Sequence, residues 1–313
     1  MRPTYRARCI RFLVKHTVGR MYRKAGQSIP ELRKLDDLLV RSQRSPKGTQ
    51  VSSVTLNGVS AEWIQGPGAG ADAAILHLHG GAFVTGYPAI HRELAARISA
   101  SAGVWILSPD YRLSPEHPFP AAVQDALSAY RWLMTQGYPP SRLFLGGESS
   151  GGGLALQALL TMKEEGIPLP RAAFFLSPVT DWIGLDGESY STRANLDPLL
   201  CLSQCRFTAS LYVGDNPGDT PLLRPIEMDL TGLPPMWIQV GDHEVLLSDA
   251  ERLARRAVNR GVDVDFRVWP GLWHVFQATA RLVPEAKDSI EELGRFVRGH
   301  LLQSPGDGSE FSA

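Results

Sequence analysis

Long hydrophobic runs are missing from this 313-residue chain: no stretch of 18 apolar residues occurs, which excludes a membrane-spanning helix. Near the N-terminus the longest apolar run is Phe12-Leu13-Val14, too short for a signal-peptide core, so a cytoplasmic protein is expected. Cysteine is scarce. Three residues, two of them (Cys201 and Cys205) one helical turn apart, build no disulfide framework. No group of Cys and His has the spacing of a metal site, and no metal or cofactor is expected. A charge excess is lacking too, with 32 basic and 32 acidic residues, which argues against a nucleic-acid partner.

The charge that is present is unevenly distributed. Residues 1–24 hold eight basic residues and no acidic one, leaving the remainder net −8. Apolar residues recur there at helical spacing (Ile10, Leu13, Val14, Val18, Met21, Tyr22), predicting an N-terminal helix that packs on the protein, with weak association with a membrane surface as the alternative and no stable anchor. Residues 303–313 are rich in Gly, Ser and acid and read as a disordered tail.

Between these ends, short apolar runs alternate with helical patterns. Strands are predicted at Ala74–Leu78, Val104–Leu107, Arg142–Leu145, Ala172–Leu176, Met236–Val240 and Val264–Trp269, with helices near 89–102, 119–136, 150–165, 246–260 and 285–302. This alternation predicts an α/β fold with a mostly parallel sheet covered by helices on both faces. Two earlier strands, Val51–Leu56 and Val59–Ile64, flank Asn57-Gly58, so the sheet opens with an antiparallel hairpin. Residues 1–48 and 182–230 break the alternation and are expected to form a helical cap around a catalytic domain spanning 49–302. Ligands in open α/β sheets bind beyond the carboxyl ends of the strands, the end such a cap would cover.

One predicted strand runs straight into Gly147-Glu148-Ser149-Ser150-Gly151 and then a helix, the strand-turn-helix setting of a G-x-S-x-G nucleophile elbow. Ser149 is the candidate nucleophile, at a helix N-terminus that favours developing negative charge. Upstream, strand Ala74–Leu78 ends in His79-Gly80-Gly81-Ala82-Phe83, where small residues let backbone N–H groups approach a reacting carbonyl. Gly80, Gly81 and Ala82, joined by Ser150, are the candidate oxyanion hole. His79 reads as a structural hydrogen-bonding residue, and His77 has no assigned role. His274, after the last strand and behind Pro270-Gly271, is the candidate base. Asp242 and Glu244 both follow strand Met236–Val240, and either carboxylate can orient an imidazole.

Four blocks in this order resemble the bacterial hormone-sensitive-lipase-like esterases of the α/β-hydrolase superfamily: His79–Phe83, Asp110–Ala122, the elbow, and Gly271-Leu272-Trp273-His274-Val275-Phe276. The resemblance covers residues 50–300. It departs at Ala82, where a third glycine is usual, at Glu148 and Ser150, which replace Asp and Ala, and at Gly241–Leu247, which lacks the usual Asp-Pro-Leu. Aligned on the histidine, the family's aspartate falls on Glu244; Asp242 is then expected to cap the turn or helix that follows.

The resemblance implies a serine carboxylesterase that hydrolyses uncharged esters of short to medium acyl chains through a Ser149-Glu244-His274 triad. Within Tyr111–Pro120, Arg112 and Glu116 are expected to tie a loop beside the oxyanion segment rather than to act in chemistry. Trp182, Phe207 and Tyr212 are expected to pack inside the cap, with lining of the pocket as the alternative. Rival readings are a non-catalytic small-ligand receptor, since the related plant gibberellin receptors have lost the histidine retained here as His274, and an amidase, peptidase or long-chain lipase using the same triad. The partner expected is a small-molecule ester, with a homodimer through the last strand and helix as a further expectation.

Overall fold

A computed structural model describes residues 2–302; the predicted disordered tail lies outside the described residues. Eight strands form one sheet in the order β1-β2-β4-β3-β5-β6-β7-β8. The strands are β1 (Gln50–Leu56), β2 (Val59–Gln65), β3 (Gly70–Leu78), β4 (Val104–Pro109), β5 (Leu143–Glu148), β6 (Ala172–Leu176), β7 (Met236–Gly241) and β8 (Val264–Trp269). β1 and β2 form the hairpin expected from Asn57-Gly58, β2 also runs antiparallel to β4, and every other pairing is parallel.

Successive side chains of a strand point to opposite faces, and this period of two sorts the core into two layers. On one face Leu76, Leu145, Phe175 and Ile238 pack against α5 (Ala121–Thr135), α6 (Ser150–Glu164) and α9 (Leu247–Asn259). On the other, Ile75, Phe144, Phe174 and Trp237 meet α4 (Pro88–Ala102) and α10 (Pro284–Leu302). Central strands such as β5 and β6 are buried along their whole length, which is why β6 reads as an unbroken apolar run and β5 as one up to its glycines.

Three helices precede the sheet: α1 (Tyr5–His16), α2 (Val18–Ala25) and α3 (Ile29–Val40). The single amphipathic helix expected over 1–24 is divided between α1 and α2 at Thr17, whose φ of −111° and ψ of −90° leave the helical region. The segment between β6 and β7 contributes α7 (Ser189–Thr192), α8 (Leu202–Val213) and two short 3₁₀ turns beginning at Pro221 and Pro225.

Candidate active site

Ser149 stands between β5 and α6 with φ 57° and ψ −125°, a strained conformation for a residue with a side chain. Its neighbours explain how the turn is held. A Cβ on Gly147 would come within 2.1 Å of the Leu78 carbonyl oxygen, and one on Gly151 within 2.0 Å of the same atom. Only glycine at both places lets the elbow press against the end of β3. The Ser149 N–H donates to Leu176 O at 2.8 Å, fixing the turn to β6 as well.

Three side chains from three loops meet here. Ser149 Oγ lies 3.0 Å from His274 Nε2, and His274 Nδ1 lies 2.9 Å from Glu244 Oε2. With the imidazole proton on Nδ1, the ring donates to Glu244 and accepts from the serine hydroxyl. Glu244 is fully buried, and its other oxygen accepts from the Gly241 N–H at 2.6 Å and the Ser177 hydroxyl at 2.9 Å. Ser177 Oγ in turn accepts from the Val275 N–H at 3.2 Å, joining the carboxylate to the histidine loop. Asp242 is directed elsewhere. Its Oδ1 accepts from the Gly271 N–H, and α9 begins without a side-chain cap, so Asp242 fastens the histidine loop instead of capping a helix.

The candidate oxyanion segment is held by Glu148. This buried carboxylate accepts from the Gly80 N–H at 3.0 Å and lies 2.7 Å from His77 Nε2 and 2.6 Å from His91 Nδ1. Burial by itself raises its pKa, but the charges and hydrogen bonds of the two histidines outweigh that and hold it well below the ordinary carboxylate value. The Gly80 N–H is therefore committed to Glu148, which corrects its expected place among the oxyanion donors. The N–H groups of Gly81 and Ala82 have no acceptor among the described residues, and that of Ser150 opens α6, where no intrahelical acceptor exists.

His79 donates from Nδ1 to Gly80 O at 2.8 Å and stacks on Tyr111 at 4.2 Å; burial, then the charge of His91, lower its pKa to about 3, leaving it neutral and structural. Arg112 and Glu116 do not act as a pair: Arg112 holds Asp125 and Glu116 holds Arg33 on α3.

Residues 2–40 grip both halves of the site, which the sequence pattern did not reveal. From α3, Arg33 donates to Val84 O at 2.9 Å and Asp36 accepts the Gly86 N–H at 2.8 Å, both just beyond the oxyanion segment. From α1, Arg11 contacts His243 and donates to Gly271 O at 3.3 Å, beside the loop that carries His274. Asp197 is a second residue that spacing gave no reason to single out. It is buried and accepts from Val245, Leu199 and Leu200 N–H, and burial raises its pKa.

Above the serine lies a cavity of about 420 Å³, walled by Val14, Val18 and Leu32 from the N-terminal helices and by Trp182, Leu199 and Ala209 from the β6–β7 segment. Tyr212 stacks on Phe83 at 3.7 Å behind this wall, and Phe207 does not line it. The lining is predominantly apolar and includes Ser149 and His274.

Residues 75–278 match the family described as alpha/beta hydrolase fold. The chain is 42% identical over 245 residues to an acetyl-hydrolase of Streptomyces hygroscopicus, covering 78% of this chain and 81% of that one. It is 34% identical to an esterase of Acinetobacter venetianus over 268 residues, 85% and 88% of the two chains. Among solved structures, an esterase from the bacterial hormone-sensitive lipase family superposes with a TM-score of 0.89 at 40% identity, covering 96% of this chain and all of the other.

Proposed function

The chain belongs to the α/β-hydrolase fold family, in its bacterial hormone-sensitive-lipase-like branch, and is a carboxylic ester hydrolase; from that premise we propose that it cleaves uncharged esters of short to medium acyl chains through Ser149, His274 and Glu244. The observation that carries the reading is the unbroken hydrogen-bonded line from Ser149 Oγ through the His274 ring to Glu244 at the floor of an apolar cavity. His274 Nε2 takes the Ser149 proton as Oγ attacks the ester carbonyl, and the N–H groups of Gly81, Ala82 and Ser150 stabilise the oxyanion. The same nitrogen returns the proton to the departing alkoxide, leaving an acyl-serine. Water, deprotonated by His274, then releases the carboxylic acid and restores the serine.

Residues 1–48 and 182–230 act as the cap in this reading, because they supply the two opposing apolar walls of the cavity. Its volume suits an acyl chain of modest length. A p-nitrophenyl acyl series tests the proposal: the wild type turns over short and medium esters with a maximum within that range, and Ser149→Ala loses at least about a thousandfold in kcat/KM. Greater activity on matched amides or emulsified long-chain triglycerides than on these esters would overturn the substrate assignment.

A further inference from the structure

Helix α1 has two unlike faces. The inner one, with Ala7, Ile10 and Val14, packs on the core layer that α10 also covers, and Val14 also lines the cavity. The outer one has no covering. Tyr5 is 78% exposed, Phe12 63% and Leu13 52%. The helical period places Tyr5, Phe12 and His16 within about 40° of one another, and the Phe12 ring packs tilted against His16 with centroids 4.2 Å apart. Exposed Arg8 and Lys15 flank this aromatic stripe on one side and exposed Arg6 on the other. Beyond α1, α2 adds exposed Arg20, Met21 and Lys24.

From this surface we infer that residues 2–24 dock the enzyme on an anionic phospholipid bilayer. Two observations favour lipid over other occupants. Basic charge is segregated: residues 1–24 carry eight basic and no acidic residues while the rest of the chain is net −8, and among the described residues Arg6, Arg8, Arg20 and Lys24 have no carboxylate partner. The aromatic side chains also stand at the centre of the cationic surface rather than apart from it. Aromatic rings settle at headgroup depth, and long basic side chains beside them extend to the phosphates, so both parts of the face are satisfied by one flat anionic surface. A nucleic acid would match the charge but leave the aliphatic Leu13 and Met21 without a role.

Docking in this way sets the outer side of a cavity-lining helix against the lipid, so α1 separates the substrate cavity from the membrane surface by one helix diameter. The inference stands apart from the hydrolytic reading, because binding is measured without turnover.

Vesicle flotation of the full chain tests it, comparing phosphatidylglycerol-containing vesicles with pure phosphatidylcholine. The wild type floats with the anionic vesicles, stays behind with the neutral ones, and is released by high salt. Each basic residue near such a surface contributes about fivefold in affinity, so Arg6→Gln with Arg8→Gln weakens binding about 25-fold. Phe12→Ser weakens it as well, while Arg255→Gln with Arg142→Gln, the same charge change outside the segment, binds as the wild type does. All variants retain hydrolysis of a soluble short ester, which reports that they are folded. Absence of wild-type binding to anionic vesicles, or equal binding by the Arg6/Arg8 and Arg255/Arg142 pairs, overturns the inference. A dimer that Phe12→Ser dissociates, with no vesicle binding, assigns the face to a second copy of the chain instead.

Discussion

Glu244 meets His274 Nδ1 at 2.9 Å, whereas Asp242, two residues earlier, accepts from the Gly271 N–H at the start of the same loop. The two carboxylates thus hold the histidine loop in different ways. Glu244→Gln is expected to lower kcat by about a thousand- to ten-thousandfold, since an amide cannot fix the tautomer or stabilise an imidazolium. Asp242→Asn is expected to keep most of the activity and to lose thermal stability. Steady-state kinetics with a soluble ester, paired with thermal melts, distinguish the two, and a dead Asp242→Asn beside an active Glu244→Gln would exchange their roles.

The Glu148 carboxylate predicts a signature in acid. Its folded pKa lies well below the ordinary 4.5, so its contribution to stability is present above about pH 4.5 and is lost as pH falls through the folded value. Glu148→Gln removes that contribution. The gap in melting temperature between wild type and variant should therefore be widest at neutral pH and should narrow below pH 4.5. A gap that widens on acidification would contradict the assignment.

Asp36 reaches the oxyanion segment from α3 through the Gly86 N–H. Asp36→Ala leaves that buried donor unpaired, at a cost of about 1–3 kcal/mol. Loosening Gly81 and Ala82 should depress kcat more than it raises KM. An unchanged kcat alongside a lowered melting temperature would show that the contact only stabilises the fold.

Ala209 lines the cavity from α8 with a small side chain. Ala209→Trp fills part of that space, and the acyl-chain profile should move toward shorter esters with little change in kcat for acetate. A profile identical to the wild type's would place the acyl group elsewhere.

Most of the sheet was legible because its physics is local. β6 and β8 match the expected ranges residue for residue, β6 because a fully buried strand shows as a continuous apolar run and β8 because an edge strand, Val-Asp-Phe-Arg-Val-Trp, shows as alternation. The elbow was legible for a related reason: glycine is demanded at fixed offsets from the serine by the close approach of Leu78 O. Contacts across long sequence separations left no such mark. Nothing in the spacing of Arg33 or Asp36 indicates that they would meet residues 84–86, and Gly80 looked like a donor to substrate because its partner Glu148 lies 68 residues away. Glu148 itself showed in the sequence only as a departure from the family's Asp, although it ties two histidines to the Gly80 N–H.

The grip of the first 40 residues on both catalytic loops has a consequence for how the site is born. Those residues are made before their partners: Arg33 must wait for Glu116, 83 positions later, and Arg11 for His243, 232 positions later. Helix α1 thus finds its partners only after the chain has been made past Gly271. A nascent chain remains without a competent site until His274 has been made and its loop has met helix α1, which ties ester cleavage to closure of that long-range contact.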